Sequence, residues 1–154
     1  MGVVVRAATA ADAGAVGALA EEFQDYLRGL GDRTEFRFDG QTYLRDGFGP
    51  NPAFAGFVAE ADGQIAGYLL YHFGYDTDRG DRLMYVIDLY VRQVRRGLGV
   101  GRALMERAAA TAREAGASSL IWTVYAPNAL ALAFYERLGA RFESDLKLMS
   151  WTGS

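Results

Sequence analysis

One run constrains this chain more than any other: Val91-Arg92-Gln93-Val94-Arg95-Arg96-Gly97-Leu98-Gly99-Val100-Gly101-Arg102-Ala103-Leu104. An apolar, strand-like segment precedes it and a helix-like one follows. Three glycines at alternate positions therefore stand behind two arginines where a strand gives way to a helix. Glycine lets a ligand approach the backbone and tolerates dihedrals that other residues avoid. The first turn of a helix adds unpaired N–H groups and a partial positive charge. Such a stretch is built to receive an anion, with several amides aimed at one phosphate group.

The rest of the composition narrows the setting. A chain of 154 residues is expected to form a single domain over residues 1–154 that buries roughly two thirds of its unfolded surface. It has no cysteine, which excludes disulfides and thiol-based metal sites or nucleophiles and fits a cytoplasmic protein. Its one histidine, His72, rules out a histidine-rich metal centre, so no metal is expected. A net charge of -3 is the opposite of the basic balance of a nucleic-acid binder and tolerates cationic partners. No apolar run is long enough for a membrane span or a signal core.

Read in order, Val3 to Arg6 predicts a short strand. Thr9 stands three residues before Asp12, as in a capping box, ahead of a helix expected from about Ala10 to Leu27. Val16, Leu19, Ala20, Phe23 and Leu27 form its buried face, and Glu21, Glu22 and Asp25 lie off it as a solvated acidic edge or a cation-binding one. A second helix is expected from about Gln41 to Phe48, stopped by Gly49-Pro50-Asn51-Pro52. Phe54 to Glu60, Ile65 to Gly74 and Leu83 to Val91 then predict three consecutive antiparallel strands. A helix from near Gly99 to Gly116, a strand from Ser119 to Tyr125, a helix from about Ala129 to Leu138, and one or two closing strands in Arg141 to Trp151 complete the chain. The order implies a mixed α/β (α+β) architecture, with one sheet covered by helices.

The glycine pattern fits neither common nucleotide motif. A phosphate-binding loop needs Lys and then Ser or Thr after its last glycine, whereas Gly101 is followed by Arg102-Ala103. A dinucleotide fold needs Gly-x-Gly-x-x-Gly after the first strand of parallel βαβ units, whereas this run follows an antiparallel meander. Glycines serving only close packing would not need the two arginines beside them.

Arg96-Gly97-Leu98-Gly99-Val100-Gly101 instead resembles the Arg/Gln-x-x-Gly-x-Gly/Ala signature of the GCN5-related N-acetyltransferases (GNAT). Arg6 to Asp12 is similar to the opening pattern of that family, with Ala7 in place of proline. Asn128, Phe134-Tyr135-Glu136 and Leu138-Gly139-Ala140 resemble its later motif. Fragments such as Tyr43 to Gly49, Val58-Ala59-Glu60 and Tyr85 to Val91 are similar to the diamine and spermidine/spermine acetyltransferase branch.

The resemblance implies a central, mostly antiparallel twisted sheet flanked by about four helices. It also implies transfer of acetyl from acetyl-coenzyme A to a small-molecule amine, by direct attack in a ternary complex. Leu89, Tyr90 and Val91 would pair with the pantetheine arm, and amides of Arg96, Gly97, Leu98, Gly99, Val100, Gly101 and Arg102 would hold the pyrophosphate. Asn128 would contact the cofactor, a role compatible with capping its helix. Tyr135 matches the tyrosine that protonates the departing thiolate, and it also suits a core aromatic. An amine must lose a proton before it attacks. The polyamine branch has a glutamate where this chain has Ile87, which leaves Asp88 as base through water, as a ligand for the substrate ammonium, or as a structural group. Glu22, Asp25 and Tyr26 stand where the family builds its acceptor pocket. His72 reads as a strand histidine, Trp122 and Trp151 as core or interface fillers, and Glu60 as a residue that could orient substrate. A homodimer is implied by resemblance alone. The alternatives are a non-catalytic acyl-coenzyme A sensor, favoured by Ile87, and a protein N-acetyltransferase.

Overall fold

The computed structural model describes residues 2–153. Their contacts divide the chain into two compact units, one reaching to Thr123 and the other starting at Val124. The first holds β1 (Val3–Ala7), α1 (Ala13–Gly29), α2 (Gly40–Gly47), β2 (Ala55–Ala61), β3 (Gln64–Asp76), β4 (Asp81–Val91), α3 (Val100–Glu114) and β5 (Ala117–Ile121). The five strands form one sheet in the order β1-β2-β3-β4-β5. Every pairing is antiparallel except that of β4 with β5, which is parallel. The mixed architecture and the three-strand meander expected from the sequence are both present.

The two faces of the sheet take different helices. Val16, Leu19 and Ala20 of α1 and Tyr43 of α2 pack with Val58, Tyr68, Leu70 and Tyr90 in one buried cluster. By strand alternation the neighbouring positions point the other way, and there α3 lies so close that a Cβ on Gly67 would meet side chains of Val100 and Leu104 at 3.3 Å. Helices α1 and α2 meet backbone to backbone. A Cβ on Gly17 would stand 2.9 Å from the Gly40 nitrogen, and one on Gly40 would stand 2.8 Å from the Ala13 carbonyl oxygen. Neither glycine was singled out by the sequence pattern, because such an approach depends on where the second helix lands.

The expected capping box at Thr9 and Asp12 opens a short 3-10 turn at residues 10–12, from which α1 continues. The Asp12 carboxylate accepts from the Thr9 N–H at 2.8 Å and from both terminal nitrogens of Arg6, at 2.9 and 2.8 Å. Asp12 is 6% exposed, so a single residue ties β1 to the start of α1 out of water. Tyr43, fully buried, adds a hydroxyl bond to the Thr9 carbonyl oxygen at 2.8 Å. Burial pushes the Tyr43 phenol up to about 12, so it stays a neutral donor.

The second unit contains α4 (Ala129–Leu138). Asn128 caps it by accepting from the Ala131 N–H at 3.2 Å, and Gly139 ends it at φ 94. The closing strands expected in Arg141 to Trp151 are not there: these residues have no regular structure beyond a turn in which the Leu146 N–H meets the Glu143 carbonyl oxygen at 3.2 Å. Alternating apolar residues become a strand only when a neighbouring strand accepts their backbone bonds, and no strand in this unit does so. The fifth strand also ends earlier than expected, at Ile121.

The Arg6–Asp12 pair makes a stability prediction. Hydrogen bonds from Arg6 hold the Asp12 carboxyl below the usual carboxylate range, against the opposing effect of burial. A depressed carboxyl stabilises the fold above its unfolded pKa, and that contribution fades as pH falls through the folded value. Asp12→Ala is expected to lower unfolding free energy by about 2 kcal/mol at neutral pH, less than a fully buried pair would lose because the Arg6 side chain is 36% exposed. Urea titration against pH checks both: the gap between wild type and variant narrows below about pH 4.

Candidate active site

Strand β4 supplies the centre of the site. It pairs with β3 along its whole length, from Asp81 opposite Asp76 to Val91 opposite Gly67. With β5 it pairs only from Arg82 to Tyr85. Within this unit, the edge of β4 from Val86 to Val91 therefore has no strand partner on the side where β5 would continue. An unpaired strand edge is a row of donors and acceptors spaced to take an extended amide chain. Leu89, Tyr90 and Val91, the residues expected to hold the pantetheine arm, all lie on that edge.

A bulge in β4 sets the chemistry beside it. Leu70 pairs with Asp88, but the next residue, Tyr71, pairs with Val86, which leaves Ile87 as the extra residue. Ile87 is 39% exposed. Strict alternation would put Ile87 and Asp88 on opposite faces of the strand, and the bulge interrupts that alternation. Beyond it Asp88 faces the cluster side, where its carboxylate accepts from the Tyr68 hydroxyl at 3.0 Å. Desolvation raises the Asp88 carboxyl to about 6, and the Tyr68 bond opposes that rise without cancelling it. A carboxyl in this range is mostly ionised at neutral pH and still basic enough to take a proton. Tyr68 was not anticipated as its partner, because the register that brings the two together depends on the bulge.

After β4 the chain makes a 3-10 turn at residues 93–95 and enters the glycine loop. Gly97 and Gly99 have φ values of 81 and 82, in the left-handed region that favours glycine. A Cβ at either position would have nothing within 4 Å, so backbone conformation and open space above the loop, not packing, explain the glycines. Gly99 is the N-cap of α3, and the first intrahelical bond runs from the Ala103 N–H to the Gly99 carbonyl oxygen at 3.0 Å. The amides of Val100, Gly101 and Arg102 precede that bond and stand at the positive end of a helix of 15 residues. Open space, left-handed glycines and a helix N-terminus together fit a phosphate.

The remaining candidates have definite partners. The Arg96 guanidinium lies over the ring of Tyr26 at 4.9 Å and that of Tyr90 at 5.2 Å, and its Nε donates to the Val91 carbonyl oxygen at 3.2 Å. Glu22 accepts from the Tyr90 hydroxyl at 2.6 Å and from the Gln93 N–H at 3.3 Å. Phe23 stacks on Tyr90 at 4.8 Å. Two of the three residues expected in an acceptor pocket, Glu22 and Tyr26, thus touch the end of β4 and the loop after it. The third, Asp25, pairs with Arg28 at 2.7 Å and lines a polar groove of about 310 Å³ with Glu21, Gln24 and Phe36. His72 stacks on Tyr85 at 5.2 Å, and Glu60 meets Arg6 at 3.4 Å. Tyr135, in the second unit, lies on α4 with its ring 5.2 Å from that of Phe134. Among the described residues no group of three His, Asp or Glu side chains is arranged to hold a metal ion, and no helix is long and apolar enough to cross a membrane.

The chain has known relatives. Residues 17–140 match the model of the acetyltransferase (GNAT) family. Thialysine N-epsilon-acetyltransferase from Bos taurus is 33% identical over 147 residues, covering 90% of this chain and 84% of that protein. Spermidine/spermine N(1)-acetyltransferase-like protein 1 from Homo sapiens is 33% identical over 104 residues, which are 63% of this chain and 15% of that protein. The crystal structure of ribosomal-protein-alanine N-acetyltransferase from Brucella melitensis shares the fold, with a TM-score of 0.77 at 21% identity over 97% of this chain and 99% of that one.

The bulge carboxylate can be followed directly. Carboxyl-carbon NMR of the protein without ligands is expected to show Asp88 titrating near 6. In Tyr68→Phe the midpoint moves higher, because the lost hydroxyl bond favoured the ionised form. An Asp88 midpoint near the reference value of about 4 would show a solvated carboxylate instead.

Proposed function

The chain belongs to the acetyltransferase (GNAT) family, and we propose that it is one N-acetyltransferase domain that moves acetyl from acetyl-coenzyme A to a primary amine of a small cationic molecule. The observation that carries this reading is the pairing of the open β4 edge with the left-handed glycines at the head of α3. An extended amide arm suits the first and a pyrophosphate the second. The acceptor class rests on the relatives, whose names specify thialysine and spermidine or spermine, and on Asp88, a carboxylate suited to an ammonium group. A homodimer is carried over from the family resemblance, and a cytoplasmic setting from the absence of cysteine.

In this reading Leu89, Tyr90 and Val91 offer backbone groups to the pantetheine arm, and the amides from Arg96 to Arg102 hold the pyrophosphate. Acetyl-coenzyme A supplies an activated acetyl group as its thioester. Asp88 takes the ammonium proton, directly or through water, so that the nitrogen lone pair attacks the acetyl carbon. A carbon–nitrogen bond would form as the carbon–sulfur bond breaks, Tyr135 would give its proton to the departing thiolate, and the second proton that the nitrogen sheds on becoming an amide would restore the phenol through water. Asn128 adds a contact to the cofactor beside its role as helix cap. One feature favours a second reading, a sensor that binds acyl-coenzyme A without chemistry: exposed Ile87 occupies the position where the polyamine branch has a glutamate.

Incubation with acetyl-coenzyme A and a panel of diamines, polyamines, ornithine and aminoalkyl thioethers separates the two. Saturable thiol release with at least one amine, rising with pH through about 6 as Asp88 ionises, is the expected result. Tight coenzyme A binding with no acceptor in the panel would favour the sensor.

Tyr135→Phe tests the acid separately. Its kcat is expected to fall about a hundredfold, with the KM for the amine little changed. Unchanged turnover would remove Tyr135 from the proton path.

A further inference from the structure

We infer that Glu22 and Tyr26 of α1 are positioning residues for the pyrophosphate cradle, holding the end of β4 and Arg96 in place before the cofactor arrives. The inference rests on the cradle reading above and assigns these two side chains a different task from acceptor recognition. Tyr26 and Tyr90 both present their rings to the Arg96 guanidinium, at 4.9 and 5.2 Å, while its Nε is held by the Val91 carbonyl oxygen. An arginine on a loop surface normally samples many rotamers. Here two aromatic faces and a backbone acceptor fix the residue that opens the glycine loop. Tyr90 is fixed in turn, stacked on Phe23 and donating its hydroxyl to Glu22.

Glu22 also reaches the backbone. The oxygen that accepts from Tyr90 accepts as well from the N–H of Gln93, the first residue of the turn between β4 and the loop. One carboxylate thus joins a strand side chain to the turn that sets where the loop begins, and an acceptor ammonium would have to compete with both bonds. Burial and the neighbouring Glu22 raise the Tyr90 phenol well above its ordinary value, so its hydroxyl remains a donor throughout the physiological range. The cluster sits at the hinge between the strand that takes the amide arm and the helix start that takes the phosphates. Order fixed there before binding is entropy that the cofactor need not lose on arrival.

Titration calorimetry of the full chain with coenzyme A, which needs no acceptor, tests this. Tyr26→Leu removes the ring and is expected to weaken coenzyme A binding about tenfold, the size of a cation–π contact of this kind. Tyr26→Phe keeps the ring and is expected to retain more coenzyme A binding than Tyr26→Leu. Glu22→Gln, which keeps size and shape, weakens binding by about threefold or more. With any amine that the panel identifies, the KM for amine at saturating acetyl-coenzyme A stays within about twofold in all three, since positioning the cradle does not alter acceptor contacts. Thermal melts report folding, and Glu22→Gln carries the test should Tyr26→Leu fail to fold. Coenzyme A binding unchanged in both Tyr26→Leu and Glu22→Gln would overturn the inference. So would a rise in amine KM with unchanged coenzyme A binding, which would return both residues to the acceptor pocket. A wild-type protein that does not bind coenzyme A would instead overturn the cradle reading beneath it.

Discussion

Strand β4 is hydrogen-bonded along its whole length on one side and for only its first few residues on the other, and everything proposed for this protein depends on that asymmetry. Had β5 continued beside it past Tyr85, the ladder would have consumed the edge from Val86 to Val91 and closed the sheet. Within its unit the early end of β5 leaves that edge without a strand partner, next to a loop whose left-handed glycines and helix start call for an anion. The two demands lie consecutively along one stretch of chain. A ligand that satisfies both must be long, amide-bearing at one end and phosphorylated at the other.

Two carboxylates show how placement decides chemistry. Asp12 is buried and Asp88 half-buried, yet their affinities for protons move in opposite directions. Asp12 has a guanidinium on both oxygens and an amide behind it, so the charge is well satisfied and serves stability. Asp88 has one phenol hydroxyl and, among the described residues, no cation beside it, so desolvation wins and the group is ready to accept a proton. The difference lies in what the fold brings alongside each aspartate.

Much of this was legible in the residues themselves. The glycine stretch, the meander before it and the caps at Asp12 and Asn128 are local patterns, and local patterns survive folding. Other features were not legible, each because it depends on a partner distant in sequence. The bulge at Ile87 is invisible to strand alternation and appears only once β3 sets the register. Glu22 lies off the apolar face of α1 and so reads as solvated, until the end of β4 arrives beneath it with a phenol and an amide. The tail after Gly139 has strand-like composition but no ladder to join in its unit, which is why the expected closing strands are absent. The meeting of Gly17 and Gly40 belongs to the same kind of knowledge, since neither position matters until two helices cross.

The bulge has a consequence for tolerance to substitution as well as for chemistry. Ile87 is the extra residue in its strand, so it has no cross-strand counterpart whose size must match its own, and its side chain is substantially exposed. Its neighbours are held by the register of β3 against β4; this position is not. A residue of another size or charge can stand here without repacking the sheet or disturbing the glycine loop beyond it. The surface beside Asp88 can therefore change one residue at a time while the register on either side of the bulge stays as it is.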